Sequence, residues 1–309
     1  MRDQLYEILV DVGKWSIPKL QIIATSRPAV DIEKILSKLT KLSVVPIQSS
    51  AVDEDIRLYV KSRMANDNKL RSWTQKIEDI ETSLVSRSNG SFQWVSCQIE
   101  KLNKCKTRNE IRQALATLPK TLEKSYQRIL DNIGEEDHFR AVSALRWLMF
   151  SQRPLSVKEL AEASIIDPNS DPAVDGDDRL ESPTDILQLL SGLVRTYHED
   201  HLTYSSPDEK WLNREVVKIA HFSIQEYLLS DHKGPRLTEV FRIEKFSSQR
   251  LIAESCLLYI DFVRERCEYN TPTHWDLERL YPLELYASRY WPHHVGTCET
   301  MGNTPVNLL

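Results

Sequence analysis

The chain has 309 residues, a formal net charge of −5, 41 % hydrophobic and 28 % charged residues, which is the composition of a folded protein of about two domains rather than of a disordered chain. The acidic balance argues against a nucleic-acid or anionic-membrane surface over the whole chain. Only 8 residues are glycine, so few positions offer the bare backbone that cradles phosphates in nucleotide-binding enzymes.

The first fifty residues predict a short helix over 1–12 and one parallel βαβ unit. The apolar run Leu20–Ala24 ends in Thr-Ser-Arg-Pro, which predicts a buried strand followed by a turn. Pro28 is then expected to begin a helix, because proline suits a first helical turn, and Leu42–Ile47 is the second predicted strand. Two short strands that flank a helix are typical of a parallel sheet.

The next hundred residues have helical periodicity throughout. Asp53 is a candidate N-cap for a helix over Glu54–Met64. Further helices are predicted at 70–86, 91–104, 107–117, 121–133 and 137–150.

Residues 150–232 predict a small unit of helices and strands. Ser156 and Glu159 have capping-box spacing, which predicts the start of a helix. Asp167–Pro183 holds six acids, three prolines and one glycine, so it is predicted to be a solvated loop. The elements predicted after it are a helix over Ser182–Leu190, a hairpin of Leu193–Tyr197 with Leu202–Tyr204, and a strand over Val216–Ala220. This order is the outline of a winged helix.

Helices are predicted near the end of the chain at 223–229, 236–244, 247–266 and 281–294, whereas Gly296–Leu309 lacks periodicity and is predicted to fray. No apolar run follows Met1 or approaches the ~18 residues that a transmembrane helix needs. The five cysteines include no Cys-x-x-Cys pair, which argues against a disulfide framework or a zinc cluster. An intracellular, cytoplasmic protein is therefore expected.

Two side chains are candidates for binding a phosphate. Arg27 follows the carboxyl end of a predicted strand, where open parallel sheets place ligands, and an arginine there can bind a terminal phosphate. The alternative is a solvated arginine in a surface turn. His221 follows another predicted strand and can donate to a phosphate oxygen. The alternative is a half-buried histidine whose ring is satisfied by nearby backbone groups.

The remaining histidines do not predict a metal site. His198 and His201 are spaced in a turn without a third ligand, and the adjacent His293 and His294 point apart on a helix. The sequence contains no Gly-x-x-x-x-Gly-Lys-Ser/Thr, Gly-x-Ser-x-Gly or His-Glu-x-x-His motif. No catalytic residue and no metal ligand is therefore assigned.

Seven segments in order resemble the NACHT-type (STAND) signal-transduction NTPases, and most closely the large fungal ankyrin-repeat proteins of that class. They are LQIIATSRP at 20–28, DEDIRLYVKSRM at 53–64, GSFQW at 90–94, LPKTLEKSYQRIL at 118–130, RPL at 153–155, AHFSIQEYL at 220–228 and LYASRYW at 285–291. The resemblance covers about residues 1–295, and its strength lies in the order of the motifs.

The resemblance implies a mainly α fold with a small α/β remnant. Its expected parts are a partial parallel βαβ unit of the NACHT core at 1–50, a helical domain at 51–134, a winged-helix-like domain at 135–232, a helical spacer at 233–295 and a flexible tail at 296–309. Arg27 matches the family's sensor arginine, and His221 resembles the winged-helix histidine that holds the ADP-bound resting form. The family's phosphate loop, Mg²⁺-binding acidic strand and ankyrin repeats find no match, so the chain is expected to be the back half of a nucleotide module.

The leading hypothesis is a regulatory, protein-interaction fragment of an intracellular switch, which binds ATP or ADP only if the missing core is supplied. The alternative is an NTPase completed by missing N-terminal residues or by another chain. A DNA-binding winged helix is disfavoured, because Asp167–Pro183 is acidic and the helices carry no basic stripe. Protein partners are expected, and the apolar edge of Leu20–Ala24 predicts self-association. Neither nucleic acid nor a transmembrane segment is expected.

Overall fold

The computed structural model describes residues 49–71, 77–198, 215–230, 239–267 and 279–302, together with residues 7, 8, 11, 12, 15, 17, 21–23, 25, 34 and 43. The chain divides into two units, Met1–Glu54 and Asp55–Leu309. As the sequence predicts, the described residues are mainly helical, and their strands form one small three-stranded sheet.

In the first unit, the described residues of the predicted helices are helical, but those of the first predicted strand are not in a strand. Glu7, Ile8, Asp11, Val12 and Lys34 are helical. Gln21–Ile23 are in no strand, and Ile23 is 93 % exposed, so the buried strand expected over Leu20–Ala24 does not form at these residues. A strand needs a hydrogen-bonding neighbour, and none of the described residues pairs with this run. Apart from Ser43, which is irregular, the second predicted strand lies outside the described residues.

The described residues that follow form six helices: α1 (Ser49–Asn66), α2 (Asn68–Arg71), α3 (Ile77–Arg87), α4 (Phe92–Lys104), α5 (Arg108–Ala116) and α6 (Leu122–Asp131). The helix predicted over 70–86 corresponds to α2 and α3, between which residues 72–76 lie outside the described residues, and the other four lie close to their predicted positions. The starts of α4, α5 and α6 are fixed by the side chains of Ser91, Thr107 and Thr121, each of which accepts a hydrogen bond from a backbone N–H in the first turn. The apolar faces are buried, with Ile56, Val60, Leu84 and Val95 fully inaccessible.

The middle of the chain alternates helices and short strands: α7 (His138–Phe150), β1 (Leu155–Ser156), α8 (Val157–Ala163), α9 (Asp185–Leu189), β2 (Val194–His198), β3 (Glu215–Ile219) and α10 (Phe222–Leu229). Strand β3 lies between β1 and β2 and is antiparallel to both, with Val217 opposite Leu155 and Thr196. The predicted capping box of Ser156 and Glu159 is confirmed. The segment Leu202–Tyr204 lies outside the described residues, and the described partner of β2 is β3.

Two long helices, α11 (Lys245–Cys267) and α12 (Glu284–Gly302), follow a short 3₁₀ turn at Glu239–Phe241. The predicted helix over 236–244 is therefore limited, in the described part, to that turn. The tail predicted to be flexible over 296–309 is helical in its described part, because α12 continues through Gly296 to Gly302, whereas residues 303–309 lie outside the described residues. His294 and Cys298 are fully buried, and this anchoring holds the polar end of the helix in place.

The main core of the second unit combines buried residues of α7, the sheet, α11 and α12 with others from α4, α6, α8, α9 and α10. The ring centroids of Trp147 in α7 and Tyr286 in α12 lie 5.4 Å apart in an edge-to-face arrangement, and both residues are buried. All five cysteines are free thiols. No helix within the described ranges combines the length and apolarity that crossing a membrane requires.

Candidate functional site

His221 occupies the N-cap of α10, two residues after β3 ends. Its Nδ1 atom accepts the backbone N–H of Ser223 at 3.2 Å and lies 2.6 Å from the Ser223 hydroxyl oxygen. Its half-buried ring packs against Phe222, with centroids 4.4 Å apart. Because a backbone N–H can only donate, the neutral ring carries its proton on Nε2.

Tyr126 of α6 reaches the same helix terminus from a distant part of the sequence. Its hydroxyl oxygen lies 2.8 Å from Ser223 Oγ, across a separation of 97 residues. Its ring is 1 % exposed and packs against Tyr227 of α10, with centroids 5.5 Å apart. Burial raises the pKa of Tyr126, so its hydroxyl stays protonated at physiological pH. Tyr126, Ser223 and His221 therefore form a continuous hydrogen-bonded chain, called here the Tyr–Ser–His chain.

The segment LPKTLEKSYQRIL around Tyr126 joins three helices through its backbone and side chains. The indole Nε1 of buried Trp94 donates to the carbonyl of Pro119 at 3.0 Å, which ties α4 to the loop before α6. Arg128 donates to the carbonyl of Thr117 at 2.8 Å and so satisfies the end of α5. These contacts give the motif a structural role in holding Tyr126.

A second set of contacts joins the helices to the start of β2. Arg195 donates to Ser96 Oγ at 3.0 Å, across 99 residues. Gly192 has a positive φ of 93°, and a Cβ atom there would lie 3.1 Å from the Cδ1 atom of Ile129. Glycine is therefore needed at this position both for its backbone conformation and for the close approach to α6.

Helix α8 carries two buried glutamates, and each is paired with an arginine. Arg153 binds both carboxylate oxygens of Glu159, at 2.7 and 3.1 Å, and the two side chains are 10 % and 4 % exposed. Arg179 donates to Glu162 at 2.9 Å, and the hydroxyl of Tyr259 donates to the same carboxylate at 2.8 Å. Bidentate pairing with further donors is what a buried carboxylate needs.

His294 is the centre of a fully buried polar network in the C-terminal helices. Its Nδ1 lies 2.5 Å from Gln249 Oε1, and its Nε2 lies 2.9 Å from the Tyr286 hydroxyl, which accepts the backbone N–H of Gln152 at 2.9 Å. The amide oxygen can only accept, so Nδ1 carries the proton and Tyr286 donates to Nε2. Burial, with a smaller effect of His293, lowers the pKa of His294 to about 4. The ring is neutral, and both of its nitrogens are hydrogen-bonded within the protein.

An open cleft of about 200 Å³ lies beside the start of α7, and its lining includes Phe139, Asp167, Asp175 and Asp178. The carboxylate of Asp167 is hydrogen-bonded within its own loop, where it accepts from the Asn169 backbone and the Ser170 hydroxyl. Within the described ranges, no three His, Cys, Asp or Glu side chains are grouped so that they could hold a metal ion.

Of the two predicted phosphate contacts, the structure places His221, whereas Arg27 lies outside the described residues. The expectation that these two side chains bind a phosphate stays a prediction. Tyr126 and Ser223 were missed as functional candidates. Tyr126 stands in a motif that the sequence already singles out, and Ser223 lies two residues after His221, but nothing in the sequence pairs residues 97 positions apart.

Two curated fungal proteins are similar to the chain. Azaphilone pigments biosynthesis cluster protein L of Monascus ruber is 28 % identical over 212 residues, which cover 68 % of this chain and 42 % of that protein. Vegetative incompatibility protein HET-E-1 of Podospora anserina is 30 % identical over 164 residues, which cover 51 % of this chain and 12 % of that protein. The chain thus spans less than half of the length of either relative.

No family model matches the chain, and no solved structure matches it. The comparisons therefore establish a distant similarity to fungal proteins, of which one is named for vegetative incompatibility.

Proposed function

We propose that the chain is a regulatory and protein-interaction module of a NACHT-type signal-transduction switch. The distant similarity to HET-E-1 supports a regulatory family of this kind. The order of α7, β1, α8, α9, β2 and β3, with β3 at the centre of an antiparallel sheet, supports a winged-helix assignment for residues 135–232. The absence of a phosphate-loop motif from the 309 residues supports a role that does not include hydrolysis by this chain alone.

The position of His221 is the observation that carries the proposal. The residue ends the connection from β3 and caps α10, so its ring stands at the positive end of a helix dipole. Its Nδ1 atom is held by Ser223, which leaves the proton on Nε2 as a hydrogen-bond donor. A donor at a helix N-terminus suits a phosphate oxygen. In the proposed switch, His221 contacts the phosphate of a bound nucleotide, and Arg27 stays a separately predicted phosphate contact.

If the module exists in two conformations, nucleotide contact at His221 would stabilise the one in which His221 reaches the phosphate. A ligand shifts such an equilibrium only by its difference in affinity for the two states, and a few kcal/mol is sufficient. Protein partners would then bind the surfaces exposed in the second state.

Exposed apolar side chains in the first unit support the protein-interaction part of the proposal. Among its described residues, Ile8, Trp15, Ile17, Ile22 and Ile23 are all about half exposed or more. Exposed apolar surface of this kind is a feature of protein-interaction sites. Light scattering on the purified chain is expected to show self-association that falls in an Ile22→Ser/Ile23→Ser variant, and a monomer at high concentration would contradict the expectation.

Calorimetric titration with Mg²⁺-ADP, with and without an added NACHT α/β core that contains a phosphate loop, tests the nucleotide part. The chain alone is expected to bind weakly, with a Kd above ~100 µM, and the mixture more tightly than either component. His221→Ala is expected to reduce that gain at least about tenfold, the value of a charge-assisted hydrogen bond, and His198→Ala, an exposed histidine on β2, to leave it unchanged.

Two results would contradict the proposal. If His221→Ala and His198→Ala behaved alike, the phosphate contact would be wrong. If the chain alone bound with a low-micromolar Kd and hydrolysed the nucleotide in a Mg²⁺-dependent way, the alternative hypothesis of an NTPase would be correct.

A further inference from the structure

Tyr126 and His221 lie on different helices and are linked through Ser223. Tyr126 projects from α6, whereas His221 and Ser223 belong to the N-terminus of α10. The two links are 2.8 Å between the hydroxyl oxygens of Tyr126 and Ser223, and 2.6 Å between Ser223 Oγ and His221 Nδ1. The first distance is typical of a hydrogen bond between two hydroxyls, and the second is short for one between oxygen and nitrogen.

The direction of the hydrogen bonds follows from the backbone contact. The N–H of Ser223 points at His221 Nδ1, so this nitrogen is an acceptor and has no proton. The Ser223 hydroxyl therefore donates to Nδ1, which leaves its oxygen as the acceptor for Tyr126. The phenol is the fixed donor that starts the chain, because burial raises the pKa of Tyr126 and keeps it protonated.

The strength of the chain depends on all three members. A hydroxyl that accepts one hydrogen bond becomes a better donor for the next, so Tyr126 strengthens the bond from Ser223 to the imidazole. Without the phenol, the Ser223 hydroxyl can rotate and accept from Nδ1 instead. The longer backbone contact at 3.2 Å still opposes a proton on Nδ1, but without the help of the Ser223 hydroxyl.

We infer that Tyr126 is a positioning residue for His221: through Ser223 it holds the imidazole in the tautomer that presents Nε2–H. The inference rests on the proposed function, in which Nε2–H contacts a phosphate, and it names the element that controls this contact. Helix α6 thereby determines the hydrogen-bonding character of a histidine at the N-terminus of α10. A displacement of α6 from α10 would change the tautomer and weaken the donor.

The test is ¹⁵N NMR of the histidine ring nitrogens in the full chain, at a pH where the ring is neutral and without nucleotide. His221→Gln assigns the resonances. In the unsubstituted protein, Nδ1 is expected to give the signal of an unprotonated nitrogen and Nε2 that of a protonated one. In Tyr126→Phe, the ratio of the two tautomers is expected to move about three- to tenfold toward Nδ1–H, the loss that one hydrogen bond represents.

A matched control separates the hydroxyl from the packing of the ring. Tyr227→Phe removes a hydroxyl from the other ring of the packed pair and is expected to leave the His221 signals unchanged. Ser223→Ala breaks the chain at its centre and is expected to move the ratio in the same direction as Tyr126→Phe. If Tyr126→Phe fails to fold, 3-fluorotyrosine at position 126 replaces it, since this stronger donor is expected to move the ratio the opposite way.

Three results would overturn the inference: a ring that is mainly Nδ1–H in the unsubstituted protein, no change in Tyr126→Phe or with 3-fluorotyrosine, or an equal change in Tyr227→Phe. The readout involves no nucleotide. A failure here therefore differs from a failure of the proposed phosphate contact, which the calorimetric titration reports.

Discussion

The helices α1–α6 and the elements from α7 to α12 stabilise their interiors by different means. In the first region, the described hydrogen bonds between two buried groups are neutral, as in those from Trp94 to Pro119 and from Gln98 to Ser125. The buried carboxylate of Glu81 is paired with Arg57 and Lys61, whose side chains are 37 % and 55 % exposed. Each ion pair described there has at least one exposed member. The second region contains the Arg153–Glu159 pair, in which both side chains are nearly inaccessible.

Because of this difference, we expect the two regions to respond differently to pH, to salt and to the loss of one charged partner. Neutral hydrogen bonds respond little to pH and salt, because neither partner changes its charge. A buried ion pair or a buried neutral histidine depends on the protonation of its members and on the presence of both partners. The second region should therefore be more sensitive to acid and to the loss of a single charge.

The largest expected effect is on the ion pair of α8. Arg153→Met leaves the carboxylate of Glu159 buried without its cation, and a loss of about 3–5 kcal/mol in the free energy of unfolding is expected. Arg153→Met/Glu159→Gln should recover part of this loss, because glutamine is neutral and can still accept from the Ser156 N–H. Urea denaturation measures both variants.

The matched surface variant is Arg63→Met, which breaks a pair whose members are 42 % and 36 % exposed. Its expected loss is below about 1 kcal/mol. Equal losses in Arg153→Met and Arg63→Met would remove the proposed contrast between the two regions.

The second effect is an acid sensitivity that originates at His294. Its pKa is lowered to about 4 in the folded protein, so the unfolded chain binds more protons between about pH 4 and 6.5. Stability is therefore lost as the pH falls through this window, by about 3 kcal/mol in total. His294→Gln cannot be protonated and should lack this dependence.

The His294 effect must be measured as the difference between the unsubstituted protein and His294→Gln across the pH range. Burial raises the pKa of Glu284 to about 7, so this carboxyl favours the folded state more as the pH falls and partly masks the histidine. A difference that stays constant from pH 7 to pH 4 would contradict the buried neutral ring.

The third effect concerns the neutral interior of the first region. Trp94→Phe removes the donor to the Pro119 carbonyl, and a loss of about 1–3 kcal/mol is expected. The loss should be the same at pH 4.5 and pH 7.5 and at low and high salt, since no charge takes part. A loss that varied with pH would show that the two regions do not differ in the proposed way.

The fourth effect concerns the position where the two regions meet. Gly192→Ala introduces a side chain at a φ of 93° and brings a methyl group to within 3.1 Å of Ile129, so a loss of about 1–2 kcal/mol is expected in thermal denaturation. Gly192→Ala/Ile129→Val removes the contacting Cδ1 atom but not the backbone strain, and it should recover only part of the loss. Complete recovery would mean that the positive φ is unimportant.

Local features of the fold could be predicted from the sequence because their causes lie within a few residues. The capping box of Ser156 and Glu159 and most helix positions are of this kind. The Tyr–Ser–His chain could not be predicted, since 97 residues separate Tyr126 from Ser223. The extension of α12 beyond residue 294 was not predicted either, because the apolar periodicity fades after residue 295 and the helix is instead held by the buried side chain of Cys298.

The apolar run Leu20–Ala24 teaches the opposite lesson. Its composition suits a buried strand, yet Ile23 is almost fully exposed. An apolar composition shows that a segment is suited to burial, but the segment forms a buried strand only where another strand pairs with it. The same holds for the candidate site. The sequence identified His221 from its position after a strand, but it did not identify Ser223 and Tyr126, the side chains that orient it.

The hydrogen bond from the Gln152 backbone to Tyr286 spans 134 residues, and this has a consequence for synthesis of the chain on the ribosome. At about 5–20 residues per second, roughly 7–27 s pass between the emergence of its two ends. The helices α1–α6, whose contacts are mostly local, can fold during that time. During that time Trp147 lacks the Tyr286 ring that it packs against in the folded chain, so its uncovered side chain is a surface that a chaperone can bind.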